Sequence, residues 1–249
     1  MTRQPYPQIK ICGLTDPAQA RACADLGADA IGLVFFSKSP RNVTMDQAAA
    51  ITALLPDHVA AVGVFVDPEL DTVRRTVEKC ALTGVQLHGN EPPEFIAALR
   101  STTTARIVKA LFTGKPPKMA DAGQYEVDGY LVECGKGRLP GGNAMTWNWA
   151  IAEAFAHRHP LILAGGLAPD NVARAIAACR PDAVDASSGL ELVAGQKDLT
   201  KVKQFIDQVR KTTPLYLSQK RSPRSILTPS ENIGQDDAGN QDHKTGHST

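Results

Sequence analysis

Eight short apolar runs recur along this chain, each followed by a helix-patterned or loop-like crossover. This alternation restricts the fold more than any other feature of the sequence. The runs span residues 8–12, 30–35, 60–66, 84–87, 106–110, 129–133, 161–163 and 183–185. Helices are predicted over 17–26, 44–54, 68–79, 92–100, 147–156, 169–178 and 198–211. Their starts carry recognisable signals: Asp16 before Pro17, and Thr44 with Gln47 three residues on. The fifth crossover, 115–124, contains two prolines and reads as a loop with at most one helical turn. Runs such as Ile31-Gly32-Leu33-Val34-Phe35-Phe36 fit parallel strands buried on both faces. Eight βα units in roughly 210 residues predict an α/β protein of the (β/α)8 TIM-barrel type. A doubly wound open sheet is the rival, but it carries a glycine fingerprint after its first strand. Here that position reads Cys12-Gly13-Leu14-Thr15.

Composition narrows the function classes. Formal net charge is +1, so no basic excess points to nucleic acid. No apolar run approaches the length of a membrane span, and the N-terminus lacks the apolar stretch of a signal peptide. The five cysteines at 12, 23, 80, 134 and 179 are scattered, with no CxxC pair. They read as reduced thiols of a cytoplasmic protein, not as a disulfide frame or a metal site. Past residue 213 the composition turns to Ser, Asn, Gln, Asp, Lys and Pro. Such a stretch buries too little apolar surface to offset its ordering entropy. The expected organisation is therefore a barrel domain over 1–212 and a disordered polar tail over 213–249.

In this fold the working residues stand at the C-terminal strand ends and in the loops that follow. Lys10 and Cys12 fall on one face of the first strand. An ammonium beside a thiol can lower its pKa, which makes Cys12 a candidate base or nucleophile; the other reading is a small buried hydrophobe. Glu133 closes the sixth strand, where a buried carboxyl suits general-acid work. The turns after strands seven and eight contain Gly165-Gly166 and Ser188-Gly189. Paired glycine-rich turns at these two places form a phosphate cradle from main-chain amides, or else only tight turns. Arg41 lies in a Ser/Pro-rich loop and can grip a substrate carboxylate or stand in solvent. His88 binds substrate or is a hydrogen-bonded structural histidine; Asp185 accepts a substrate hydroxyl or anchors its loop.

Several motifs resemble those of the phosphoribosylanthranilate isomerase family, a group of tryptophan-pathway enzymes. They are Lys10-Ile11-Cys12-Gly13-Leu14-Thr15, the run from Gly27 to Phe36, Ser39-Pro40-Arg41, Val62 to Val66, Val85-Gln86-Leu87-His88-Gly89, Leu163 to Leu167 with Asn171-Val172, and Asp185 to Glu191. Together they cover about residues 8–210 and follow the family's order. The resemblance implies a barrel that works without cofactor or metal on a phosphorylated small molecule. The implied reaction is the Amadori rearrangement of N-(5-phosphoribosyl)anthranilate to 1-(o-carboxyphenylamino)-1-deoxyribulose 5-phosphate. It implies that Glu133 protonates the furanose ring oxygen and that Cys12, as thiolate, removes the C2′ proton. Arg41 would hold the anthranilate carboxylate, with His88 and Asp185 also at the substrate. Gly142, Gly165, Gly166, Ser188 and Gly189 would hold the phosphate. The expected particle is a monomer or homodimer without nucleic-acid or membrane partners.

The departures from the family pattern cluster after the sixth strand. Glu133 stands where the family has Asp. The loop resembling Gly-Gly-Thr-Gly-Lys-x-Phe-Asp-Trp has Ala144, Met145 and Asn148 in place of a glycine, the lysine and the aspartate. The added methylene moves the carboxyl by roughly 1.5 Å unless the side chain folds back. Two alternatives remain open at this point: a diverged non-catalytic phosphate-binding barrel, and an isomerase of a related aminoribosyl phosphate.

Overall fold

The computed structural model describes residues 5–135, 146–218 and 222–228. Eight parallel strands close into a barrel in sequence order. They are β1 (Gln8–Cys12), β2 (Ala30–Phe35), β3 (Ala60–Phe65), β4 (Gly84–Leu87), β5 (Arg106–Phe112), β6 (Gly129–Glu133), β7 (Leu161–Leu163) and β8 (Ala183–Ala186). Closure sets β1 against β8, with Lys10 opposite Asp185. The two-residue period of the strands sorts side chains to two sides. Ala30, Ala60, Val62, Val108, Ala110, Phe112, Leu131, Ile162 and Ala183 fill the interior. Their alternates, such as Ile9, Ile11, Val85, Leu87 and Val132, pack outward against the helices. Each such aliphatic side chain contributes about 1.5–3 kcal/mol by leaving water. The same parity sends Lys10, Cys12, Gln86, Glu133 and Asp185 inward.

The helices are α1 (Pro17–Asp25), α2 (Met45–Thr52), α3 (Leu70–Lys79), α4 (Pro93–Arg100), α5 (Glu153–Arg158), α6 (Val172–Cys179), α7 (Leu199–Arg210) and α8 (Thr213–Ser218). The Asp16 carboxylate accepts from the Gln19 amide, and Thr44 and Gln47 cap α2 reciprocally. The fifth crossover is a 3-10 turn, Met119–Gln124, in keeping with its prolines. Two expected helices start late. The sixth crossover opens with 3-10 geometry at Trp149–Ala152, where the Asn148 side chain accepts from the Ala150 amide. The seventh starts at Val172 because Asn171 is spent on its own loop, accepting from the Ala168 amide and donating to the Gly166 carbonyl. A hairpin of β9 (Glu191–Val193) and β10 (Gln196–Lys197), unmarked by any sequence signal, interrupts the link from β8 to α7.

The tail expected to lack order from residue 213 is ordered at its start. Thr213–Ser218 forms α8, with Tyr216 buried and its hydroxyl donating to the Pro181 carbonyl. Residues 222–228 then cross the N-terminal mouth of the barrel, where Ile226 and Leu227 enter the interior cluster at 1% and 2% exposure. Gln8 accepts from the amides of both, at 2.7 and 2.9 Å, and Arg224 pairs with Asp182 at 2.8 Å. Two apolar residues in a polar stretch carry no sequence signal; only the open barrel mouth gives them a place to go. The rest of the expected tail, 229–249, lies outside the described residues, as do 219–221.

Candidate active site

Cys12 ends β1 on the inner face of the barrel and is 8% exposed. One step deeper, fully buried Lys10 donates to Asp185 Oδ1 at 3.0 Å. Asp185 thus anchors a lysine, a pairing that barrel closure makes and that sequence order does not show. The lowered thiol expected from Lys10 is not found. Burial pushes the Cys12 thiol above its ordinary value and Asp185 adds to this, outweighing the pull of Lys10 and Lys197. Burial also disfavours the Lys10 ammonium, but Asp185 and Cys12 more than compensate and raise its pKa. The cation therefore stays in place beneath the sulfur.

Arg41 reaches this end of the barrel over Gly13, which has φ +80° and whose absent β-carbon would sit 2.4 Å from Arg41 Cδ. Arg41 is neither solvated nor open on all sides. Its Nε and Nη2 donate to the two oxygens of Glu191 at 2.8 and 2.6 Å, and both side chains are buried. The expected open grip is thus partly taken: the Nε–Nη2 fork is closed on Glu191, which leaves the Nη1 side of the guanidinium. Lys197 of β10 also donates to Glu191, at 2.7 Å. Burial favours protonation of Glu191, yet the two cations hold its pKa below the ordinary carboxylate range.

Across the barrel, Glu133 ends β6 and is 6% exposed. His88 Nε2 lies 3.3 Å from its Oε1, and His88 Nδ1 lies 2.7 Å from Gln86 Nε2. An amide nitrogen can only donate, so Nδ1 accepts and the ring proton sits on Nε2, directed at Glu133. His88 is thus a partner of Glu133, and its ring meets Phe112 edge-on.

The loops after β7 and β8 stand side by side. Gly165 and Gly166 both have positive φ, and a β-carbon on Gly189 would sit 2.2 Å from the Leu167 carbonyl oxygen. Ser188–Leu190 forms a 3-10 turn. Trp147 donates its indole N–H to the Ala164 carbonyl and lies over Gly165. Gly142, the other expected phosphate ligand, lies outside the described residues, as do Asn143, Ala144 and Met145. No group of three or more His, Cys, Asp or Glu able to hold a metal occurs among the described residues.

The structure thus gathers Cys12, Arg41 and Asp185 on one side and His88 with Glu133 on the other. Sequence reasoning passed over Gln86, Glu191 and Lys197. Gln86 was open to it, since strand parity sends it to the same face as His88. Glu191 and Lys197 meet only through the unexpected hairpin.

A family model described as N-(5'phosphoribosyl)anthranilate (PRA) isomerase matches residues 9–208. An N-(5'-phosphoribosyl)anthranilate isomerase of Desulfatibacillum aliphaticivorans is 45% identical over 213 residues, covering 86% of this chain and 97% of the relative. The crystal structure of phosphoribosyl anthranilate isomerase from Thermotoga maritima is similar with a TM-score of 0.75 at 33% identity, over 82% of this chain and 99% of that one. A further structure of such an isomerase, in complex with reduced 1-(o-carboxyphenylamino)-1-deoxyribulose 5-phosphate, aligns with a TM-score of 0.72, also at 33% identity over 82% and 99% of the two chains.

Proposed function

Because the chain belongs to the N-(5'-phosphoribosyl)anthranilate isomerase family, we propose that Cys12 is the base and Glu133 the acid of that family's reaction. The protein is an isomerase of tryptophan biosynthesis acting on a phosphorylated small molecule. It converts N-(5'-phosphoribosyl)anthranilate to 1-(o-carboxyphenylamino)-1-deoxyribulose 5-phosphate.

The reading rests on one observation. A buried thiol above a lysine and a buried carboxyl tied to a histidine both end inward-facing strand positions at the same mouth of the barrel. Protonated Glu133 gives its proton to the furanose ring oxygen. The C1′–O bond breaks and the nitrogen lone pair forms the iminium. His88 Nε2–H then steadies the carboxylate left behind, and the Gln86 amide keeps that proton on Nε2. The Cys12 thiolate removes the C2′ proton, and the electron pair moves toward nitrogen to give the enolamine, which tautomerises to the ketone. A thiol raised by burial is seldom ionised but is a strong base when it is, and Lys10 favours the anion. Arg41 holds the anthranilate carboxylate through Nη1. Gly165, Gly166, Ser188 and Gly189, with Gly142, hold the phosphate through main-chain amides. The His88 tether also offers the longer Glu133 side chain a fixed position.

The near-neutral charge and the lack of any helix long and apolar enough to cross a membrane among the described residues support a protein working in the cytoplasm, free of nucleic acid and membrane. It acts there as a monomer or homodimer, which light scattering distinguishes. Conversion of the fluorescent anthranilate adduct tests the roles. Cys12→Ser and Glu133→Gln are each expected to lower kcat by about 10²–10⁴-fold. Wild-type rates in both variants would overturn the assignment.

A further inference from the structure

We propose that Lys197 is a specificity-determining residue, which acts through Glu191 to leave Arg41 with a net positive charge for the substrate's ring carboxylate. The proposal rests on the reading of Arg41 as the carboxylate ligand.

A guanidinium closed on one carboxylate is a neutral pair. Buried, such a pair offers little attraction to a second carboxylate, because Glu191 would repel what Arg41 attracts. Lys197 alters this balance. Its Nζ donates to Glu191 Oε1 at 2.7 Å, the same oxygen that accepts from Arg41 Nε at 2.8 Å and from the Gly195 amide at 3.2 Å. Two cations on one carboxylate leave a single positive charge in excess. The neighbouring pair of Lys10 and Asp185 is already balanced, and Cys12 is neutral as a thiol. The excess therefore has no anion among the described side chains that face it.

The free donor is on the arginine. Lys197 directs its ammonium to Glu191, to the Ser187 carbonyl at 3.2 Å and to Ser187 Oγ at 3.4 Å, and its side chain is fully buried. Arg41 Nη1 donates to nothing among the described residues. Lys197 therefore supplies charge without touching the ligand. Its placement is built in: the Lys197 amide donates to Gln19 Oε1 at 2.7 Å, and Thr15 Oγ1 donates to the Gly195 carbonyl at 3.1 Å. These bonds fasten the β9–β10 hairpin to the start of α1.

The test compares binding of two probes, reduced 1-(o-carboxyphenylamino)-1-deoxyribulose 5-phosphate and its counterpart lacking the ring carboxylate. Both keep the phosphate, so the ratio of their Kd values reports on the carboxylate alone. In Lys197→Met this ratio is expected to fall about 10-fold or more, with the carboxylate-free probe bound within about 3-fold of wild type. Lys197→Arg keeps the charge and is expected to keep the ratio. In Lys197→Met/Glu191→Gln the excess charge returns, and the ratio is expected to recover in part. A ratio unchanged in Lys197→Met, or a double variant worse than the single one, would overturn the proposal; a merely structural lysine gives the second result. Arg41→Gln separates the underlying reading: a ratio that survives this change refutes Arg41 as the carboxylate ligand, whatever Lys197 does.

Discussion

At Cys12 two effects oppose each other, and burial wins. The sulfur lies beside one fully buried ammonium, yet loss of water disfavours the thiolate more than Lys10 and Lys197 favour it. Turnover that needs the thiolate therefore rises with pH through and beyond the ordinary thiol range. In Lys10→Met that rising limb is expected to move to still higher pH. Thiolate absorbance, taken as the difference from Cys12→Ser, locates the midpoint; an unmoved midpoint would remove Lys10 from the account. The same variant leaves Asp185 without its cation. A loss of about 3–5 kcal/mol in stability is expected, measured by urea unfolding. Glu133 departs from the family pattern, and His88 gives its longer side chain a fixed place, with Nε2 3.3 Å from Oε1.

Among the elements, α1 couples the site to stability. It is capped by Asp16 and carries Gln19, which holds β10, and, one turn further on the same face, Cys23. Burial pushes the Cys23 thiol up to about 11. An unfolded chain ionises this thiol near its ordinary value of about 8.5, so the folded state holds the proton more tightly. Stability from this group is complete below the unfolded value and is lost as pH rises toward the folded one. Cys23→Ala is expected to flatten the fall of the urea midpoint between neutral pH and about pH 10. An equally steep fall would show that other groups carry it. The β9–β10 hairpin shows how little sequence a short element needs: its own turn glycine, Gly195, adopts φ +85°, and a neighbour, Thr15, tethers it by donating to the Gly195 carbonyl.

For the whole molecule, the barrel has two mouths with separate duties. The residues proposed for catalysis stand at the C-terminal mouth, and residues 222–228 close the other. Ile226→Ala is expected to lower Tm by roughly 5–10 °C, the drop being limited by the free energy at which the segment undocks. Both kcat and KM should stay within about 2-fold, since Ile226 meets Gly129 at the start of β6, a full strand away from Glu133. A matching loss of activity would contradict the separation. Much of this architecture was written in the sequence. Strand alternation and length predicted the (β/α)8 barrel, and the strand ends named Cys12, Glu133, Arg41, His88 and Asp185. Local periodicity suffices there, because every strand of this fold delivers its last inward residue to one rim. What the chain could not reveal by itself was which of these groups neutralise one another. Lys10 with Asp185 and Arg41 with Glu191 are pairs distant in the chain, as is the contact of Ile226 with Gly129, and they are joined only when β8 closes on β1 and the C-terminal segment folds beneath. Ionisation and solvation depend on neighbours in space, so the upward push on the thiol and the closure of the arginine on Glu191 follow from packing and not from local sequence.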